Sequence, residues 1–516
     1  MTTVHPHCGT LHGSLDNGVY SYKGIPYAES LAGPALWSLP TPRKRWSGLR
    51  DARNYGPACM QFGGSGAKWP VPAVRAQYFH ALGGTRNIVE GEDSLLLNVW
   101  TPSIEKTAKL PVMVWFHGGG FTSGSADEIY DAAPFASRGV VCVVIQYRLG
   151  PPGFLHGSGL FKGELCADNR AFEDQLCALR WVQENIASFG GDPSCVTLFG
   201  QSAGAFAIYQ LIASPKGKDL FQRAIAMGGM AETCAPATEY HQLTRDALQD
   251  IGVKPGDSQA LLSLDRQMIV KLQAAIMKRI FRGKNPEQYG SLSRNRIAFV
   301  GAATGTEFLP LSPLETFRKG TPGAIDLMLG TCANDGNLFS MMTPLGRTVS
   351  SKLFSGNLQG LVPKGDMDAA RKYYKQQMPG AGNTFVIEKL NNDAFYRMPT
   401  LSAAEVHAAV HPGRTWHYQL DYQSALPRVG AIHAIDVALL FRTEPIRTLL
   451  RNDDDTKRLS ATMRDAVVSF AKTGKPDAPG MPEWPPYEKK TRTTMIFDDQ
   501  CRVVNDVEGH LRRYWK

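Results

Sequence analysis

The chain is 516 residues and 56.5 kDa, a length that at about 150 residues per domain allows roughly three domains. Apolar residues make up 43% and charged residues 20%, a balance that supports sizeable buried cores and excludes a disordered, collagenous or coiled-coil chain. The net charge of +9 would favour acidic partners only if the basic residues were grouped. Arg43 to Arg45, Lys489 to Arg492 and Arg512-Arg513 are short, scattered and without aromatic interleaving, so nucleic acid is not expected as a partner.

Between Pro111 and Met227 the sequence alternates β-rich and helical runs. The strand PVMVWF is followed by the strand VVCVVIQY, a helix from Asp174 to Phe189, the strand CVTLF, a helix from Ala203 to Ser214 and a strand from Gln222 to Met227. Leu176, Leu179, Trp181, Val182, Ile186 and Phe189 recur at helical spacing and give the first helix one apolar stripe, which ends at Gly190-Gly191. Alternation of this kind predicts parallel strand pairing and a sheet covered by helices on both faces. From Glu239 to Lys284 the pattern turns helical, with an amphipathic stretch from Gln267 to Phe281, and reads as a cap inserted between sheet strands. Strands resume at Asp326 to Thr331 and Thr415 to Tyr422, a helix runs from Lys457 to Lys472, and a last strand lies around Met495 to Phe497. No internal repeat or low-complexity linker divides the chain. The expected architecture is therefore one α/β domain over 1–516, with insertions at about 235–325 and 340–410.

The chemistry concentrates in four places. Gly200-Gln201-Ser202-Ala203-Gly204 joins a strand directly to a helix, the pattern of a nucleophile elbow. A serine on so sharp a turn needs small residues two positions before and after it. His117-Gly118-Gly119-Gly120 follows the strand PVMVWF; consecutive glycines let backbone N–H groups converge, so Gly119 and Gly120, with the N–H of Ala203, are the expected oxyanion hole. A serine nucleophile needs a base and an acid, in the chain order Ser, Asp/Glu, His for an α/β-hydrolase. Of the downstream histidines, His241 precedes every candidate acid strand, His407 lies on a helical face, His411 precedes a proline and His417 sits inside a strand. His433, on a loop before an apolar helix, is the expected base. Asp335, in the loop Cys332-Ala333-Asn334-Asp335-Gly336 after a strand, is the expected acid, although Asn-Asp-Gly is also good turn chemistry; Glu307 and Glu315 are the reserve acids.

These motifs, with Tyr22-Lys23-Gly24-Ile25-Pro26-Tyr27-Ala28, Glu92-Asp93-Ser94-Leu95-Leu96-Leu97-Asn98-Val99, Tyr147-Arg148-Leu149-Gly150 and the run DQLCALRWVQENIASFGGDPSCVTLFGQSAG, resemble the type-B carboxylesterase and lipase family, the cholinesterase-like α/β-hydrolases. The resemblance implies an α/β-hydrolase fold: a large, mixed, mostly parallel central sheet with helices on both faces and helical cap insertions over an active-site gorge. It implies Ser202 as nucleophile, His433 as base, Asp335 at the acid position, and Gly119, Gly120 and Ala203 as oxyanion donors. Several residues depart from the family pattern. Ser94 stands where the family carries a cysteine that pairs with the counterpart of Cys59. Gln201 replaces the frequent glutamate before the nucleophile, which argues against a cationic choline ester. Gly228 and Met230 replace serines of the motif Q-S-G-S, Ala434 replaces the glycine after the base, and Asp335 replaces the more frequent glutamate.

The expected activity is hydrolysis of a specialised, fairly apolar small-molecule carboxylic ester through an acyl-enzyme, with no metal or organic cofactor. Gln201, Met227, Met230 and Phe339, with Met341 and Met342, are candidate pocket residues, although such side chains also serve as core. Transfer of the acyl group to a nucleophile other than water, as in lactonisation or cyclisation, is the alternative; a non-catalytic binding member of the family is a third reading. Nine cysteines without metal-ligand spacing, no N-x-S/T sequon, no signal-peptide pattern after Met1 and no apolar run of bilayer length lead to the expectation of an intracellular protein without a membrane span.

Overall fold

The structure is a computed structural model that describes residues 2–62, 73–82, 88–163, 165–282, 287–295, 299–320, 323–338, 361–363 and 366–515. The chain forms two compact units, one comprising Met1–Gly63, Asn87–Arg223 and Glu232–Thr316, the other Gly64–Arg86, Ala224–Ala231 and Phe317–Lys516.

In the first unit the strands β1 (Ser14–Asp16), β2 (Val19–Pro26), β3 (Leu96–Thr101), β4 (Leu110–Phe116), β5 (Val141–Ile145) and β6 (Gly191–Gln201) lie in the order β1-β2-β3-β5-β4-β6. The pairs from β1 to β5 are antiparallel, while β4 runs parallel to both β5 and β6. Val112 to Phe116 and Val141 to Ile145 are wholly buried, as expected of parallel strands covered on both faces. The register pairs Phe116 with Gly200. Adjacent parallel strands end on the same side of a sheet, so the glycine loop after β4 and the serine turn after β6 emerge side by side.

The helix expected from Asp174 starts four residues earlier, spanning Arg170–Asn185, and tightens to a 3-10 turn over Ile186–Phe189. Its extra turn buries Ala171 and Phe172, so the apolar stripe begins before the stretch that periodicity picks out. Gly190, at φ 77°, ends it in the left-handed conformation that glycine adopts without strain. Asp174 on this helix receives the Arg148 guanidinium through two bonds of 2.9 and 2.6 Å and the Arg148 backbone N–H at 3.0 Å, with both side chains buried. The pair ties the Tyr-Arg-Leu-Gly segment after β5 to the helix. The helical stretch after Glu239 is also present, as Ala237–Asp250, Ser258–Leu262 and Arg266–Arg282. Tyr240, Leu243, Leu248, Ile269, Leu272 and Ile276 form one apolar cluster there, so one side of the stretch from Gln267 to Phe281 packs on protein, while Val270, Met277 and Phe281 are exposed.

In the second unit β7 (Arg223–Met227), β8 (Asp326–Cys332), β9 (Thr415–Leu420), β10 (Thr493–Phe497) and β11 (Arg502–Asn505) lie in that order. β8, β9 and β10 are mutually parallel and β11 is antiparallel. The helix Asp454–Thr473 carries Asp453 as its N-cap and Gly474 at its C-terminus, one turn longer at the start than the expected helix. Among the described residues no helix is long and apolar enough to cross a membrane.

Candidate active site

The first unit carries the expected nucleophile. Ser202 sits at φ 57° and ψ −122°, a conformation that L-residues rarely adopt, between the end of β6 and the helix Ala203–Ala213. The two elbow glycines are explained by contact. A Cβ on Gly204 would lie 2.0 Å from the Phe116 carbonyl oxygen, and one on Gly200 would lie 2.9 Å from the same oxygen. The neighbours of Ser202 in sequence are buried while Ser202 itself is partly exposed.

Phe116 also leads into the glycine loop. Gly119 has φ 112° and Gly120 φ 60°, and a Cβ on Gly119 would fall 2.0 Å from the Ser123 carbonyl oxygen, so the loop needs glycine at this point. The Gly119 carbonyl accepts bonds from the N–H groups of Thr122 and Ser123 at 3.1 and 3.0 Å. That turn fixes the peptide plane, leaving the Gly119 and Gly120 positions exposed. Behind the loop, Tyr147 donates its hydroxyl to the His117 carbonyl at 2.6 Å and stacks on the His117 ring at 4.4 Å. Burial pushes His117 down to about 4, so it is a neutral ring whose Nδ1 meets the Gly118 carbonyl at 2.8 Å. Gly118 packs beside Gln201 and Ser202: a Cβ there would lie 3.1 Å from the Gln201 side-chain oxygen and 3.2 Å from the Ser202 Cβ.

The second unit carries the expected base and acid, and brings them together. His433 Nδ1 lies 2.7 Å from Asp335 Oδ1, and the other Asp335 oxygen accepts the Cys332 N–H at 2.7 Å. Two loops are laced to make this possible. The Asn334 N–H donates to the Ala431 carbonyl at 3.0 Å, the Ala431 N–H returns a bond to Asn334 Oδ1 at 3.0 Å, and Asn337 donates to the Val429 carbonyl at 2.9 Å. The Tyr78 hydroxyl donates to the His433 carbonyl at 2.8 Å, and the Tyr396 ring packs on the imidazole at 5.0 Å. Tyr396 belongs to a π-helical turn, Asp393–Arg397, a widening often found at functional positions.

The rejected candidates have other work. His407 Nδ1 meets Thr415 Oγ1 at 2.7 Å, His417 Nδ1 meets Thr494 Oγ1 at 3.0 Å, and burial lowers both rings to about 3. His241 faces Asp168 at 3.0 Å. Glu307 is exposed beside Lys216, and Glu315 accepts from the Ser312 N–H at the start of the helix Pro313–Arg318. Met227 and Met230 are 1% and 2% exposed, the state of core side chains, and Gln201 is buried at the end of β6. Phe339, Met341 and Met342 lie outside the described residues. Cys59 is a buried free thiol, 3.7 Å from the Ser94 carbonyl oxygen.

The Carboxylesterase family model matches residues 1–515. The chain belongs to that family. This esterase is 33% identical over 512 residues to the para-nitrobenzyl esterase of Bacillus subtilis, covering 98% of this chain and 96% of that protein. It is 29% identical to a phenmedipham hydrolase of Pseudarthrobacter oxydans, covering 98% and 97%. A solved PNB esterase superposes with a TM-score of 0.82 at 29% identity over 100% of this chain and 99% of that one. The Geobacillus stearothermophilus carboxylesterase EST55 gives 0.82 at 29% identity, covering both chains fully. The esterase therefore has the α/β-hydrolase fold, a mixed, mostly parallel sheet with helices, and is a carboxylic ester hydrolase.

Ala434, the residue after the expected base, has φ 66° in the esterase. An alanine pays a steric cost in this left-handed conformation that glycine avoids, partly offset by the greater freedom of glycine in the unfolded chain. Ala434→Gly is expected to stabilise the protein by about 0.5–1 kcal/mol, measured as a rise in the urea midpoint at unchanged slope.

Proposed function

We propose that the esterase acts through an acyl-enzyme on Ser202, with His433 as general base and Asp335 orienting it. The hydrogen bond between His433 Nδ1 and Asp335 carries this reading, because it places the proton on Nδ1 and leaves Nε2 as the acceptor a serine hydroxyl needs. In the proposed cycle Ser202 attacks the ester carbonyl as His433 takes its proton. The tetrahedral oxyanion is held by the N–H groups of Gly119, Gly120 and Ala203, aided by the positive end of the helix Ala203–Ala213. The imidazolium then protonates the departing alcohol, and water, activated by the same base, releases the acid. No step needs a metal or an organic cofactor.

The substrate class follows from the neutral Gln201 before the nucleophile and from relatives named for p-nitrobenzyl esters and for phenmedipham. An uncharged, fairly apolar small ester fits both. Ser202→Ala is expected to lower kcat on a p-nitrophenyl ester by about 10⁴-fold or more with the fold intact; retained turnover would overturn the proposal. Reaction in isotopically labelled water is expected to place the label in the acid product.

A further inference from the structure

The helix Arg266–Arg282 is apolar on two sides, and the fold uses one of them. Ile269, Leu272, Ile276 and Ile280 are buried in the apolar cluster shared with the helix Ala237–Asp250. Val270, Ala274, Met277 and Phe281, spaced by four, three and four residues, form a second stripe that faces outward. Val270 is 39% exposed, Met277 44%, and Phe281, which meets Phe299 edge-on, 36%. These are three of the seven large apolar side chains exposed among the described residues. A fourth, Val89, stands near the start of the helix, where Arg266 holds the adjoining Glu90 through bonds of 3.0 and 2.7 Å.

Charge is arranged to match. The helix contains no aspartate or glutamate, and the exposed Lys271 and Lys278, two turns apart, flank the stripe on one side. Asp250 borders the same groove as these lysines but is held by Arg279 at 2.7 and 2.8 Å, while Lys271 reaches the Met268 sulfur at 3.9 Å. Among the described residues neither lysine is paired with a carboxylate. What covers the stripe must therefore be apolar with an anionic border. The same face of a second copy offers no carboxylate on its helix to answer the lysines. The ridge is also small: about 16 Å long and about 10 Å wide, it presents about 160 Å² against the roughly 800 Å² per partner of a stable protein interface. A bilayer meets both conditions. It takes up a convex apolar ridge at its acyl boundary, and lysine stems lie along that boundary with their ammonium groups at the phosphates.

We propose that this face docks on a bilayer containing anionic lipid, with the helix in the plane of the interface, its stripe among the acyl chains and Lys271 and Lys278 at the phosphates. The proposal is independent of the assignment of the catalytic residues.

The test is co-sedimentation of the full chain with vesicles of phosphatidylcholine alone or mixed in equal parts with phosphatidylglycerol, at low salt. Binding is expected to the mixed vesicles alone. Lys271→Gln with Lys278→Gln is expected to weaken it about thirtyfold, and Val270→Ser with Met277→Ser about tenfold. Lys106→Gln with Lys109→Gln removes equal charge from another exposed stretch and is expected to weaken binding less than about threefold. Absence of binding to the mixed vesicles, binding that the serine pair leaves unchanged, or equal losses from the two lysine pairs would overturn the proposal. So would self-association of the free protein, seen by sedimentation velocity, that the serine pair abolishes. Turnover of a soluble p-nitrophenyl ester confirms that each variant is folded. Should a variant not fold, the wild type decides. Mixed vesicles are expected to protect Lys271 and Lys278, and not Lys106 and Lys109, from acylation by an N-hydroxysuccinimide ester read by peptide mass spectrometry; equal labelling with and without vesicles would overturn the proposal.

Discussion

Asp335→Asn is expected to leave the protein folded and lower kcat by about 10⁴-fold. The argument lies in the two hydrogen bonds of the carboxylate, one accepted from the Cys332 N–H and one shared with His433 Nδ1, each 2.7 Å. An asparagine has one oxygen and one NH₂ group. Turning the NH₂ toward Cys332 would set two donors against each other in a fully buried place, at a cost of about 1–3 kcal/mol. The amide oxygen therefore stays on Cys332 and the NH₂ group faces the imidazole. Nδ1 must then accept, its proton moves to Nε2, and the ring presents a donor where the serine needs an acceptor. Steady-state kinetics on a p-nitrophenyl ester, with a melting curve to confirm folding, measure the effect; a loss below about tenfold would show that Asp335 does not orient the base.

Gly204→Ala has the largest expected structural cost. By propensity alone, glycine to alanine within a helix gains about 1 kcal/mol. Here the new Cβ would meet the Phe116 carbonyl oxygen at 2.0 Å, its carbon at 2.7 Å and the His117 carbonyl oxygen at 3.1 Å. All are backbone atoms where β4 leaves the sheet, and none can turn aside as a side-chain tip could. A net loss of about 3 kcal/mol or more is expected. Activity should fall with it, because relief of the clash displaces the segment leading to Gly119 and Gly120. Denaturant unfolding and specific activity test this together, and a stabilised, active variant would contradict the elbow geometry.

Much of this was legible in the sequence because the signals are local. A strand that ends in G-x-S-x-G, a strand that ends in three glycines, and a left-handed Gly190 after an apolar stripe each declare their own backbone. Asp335 was harder to read, since Asn-Asp-Gly makes a turn in any protein. What supports it is a long-range bond to His433, ninety-eight residues away. The lacing by Asn334 and Asn337 was within reach, as both flank the acid in a turn-forming segment. Tyr78 and Tyr396 were not. The first sits in a helix and the second in a π-helical turn, and each gains its place beside His433 from tertiary packing that periodicity does not encode. Met227 and Met230 show the reverse: nearness in sequence to the strand after the nucleophile is compatible with a fully buried side chain.

The most direct test of the account is to treat the wild-type protein with a serine-directed phosphonate ester and map the adduct by peptide mass spectrometry. The account predicts one phosphonylated residue, Ser202, with labelling in step with loss of esterase activity and absent in Ser202→Ala. Complete inactivation with the adduct on another residue, or full activity with Ser202 fully modified, would contradict it.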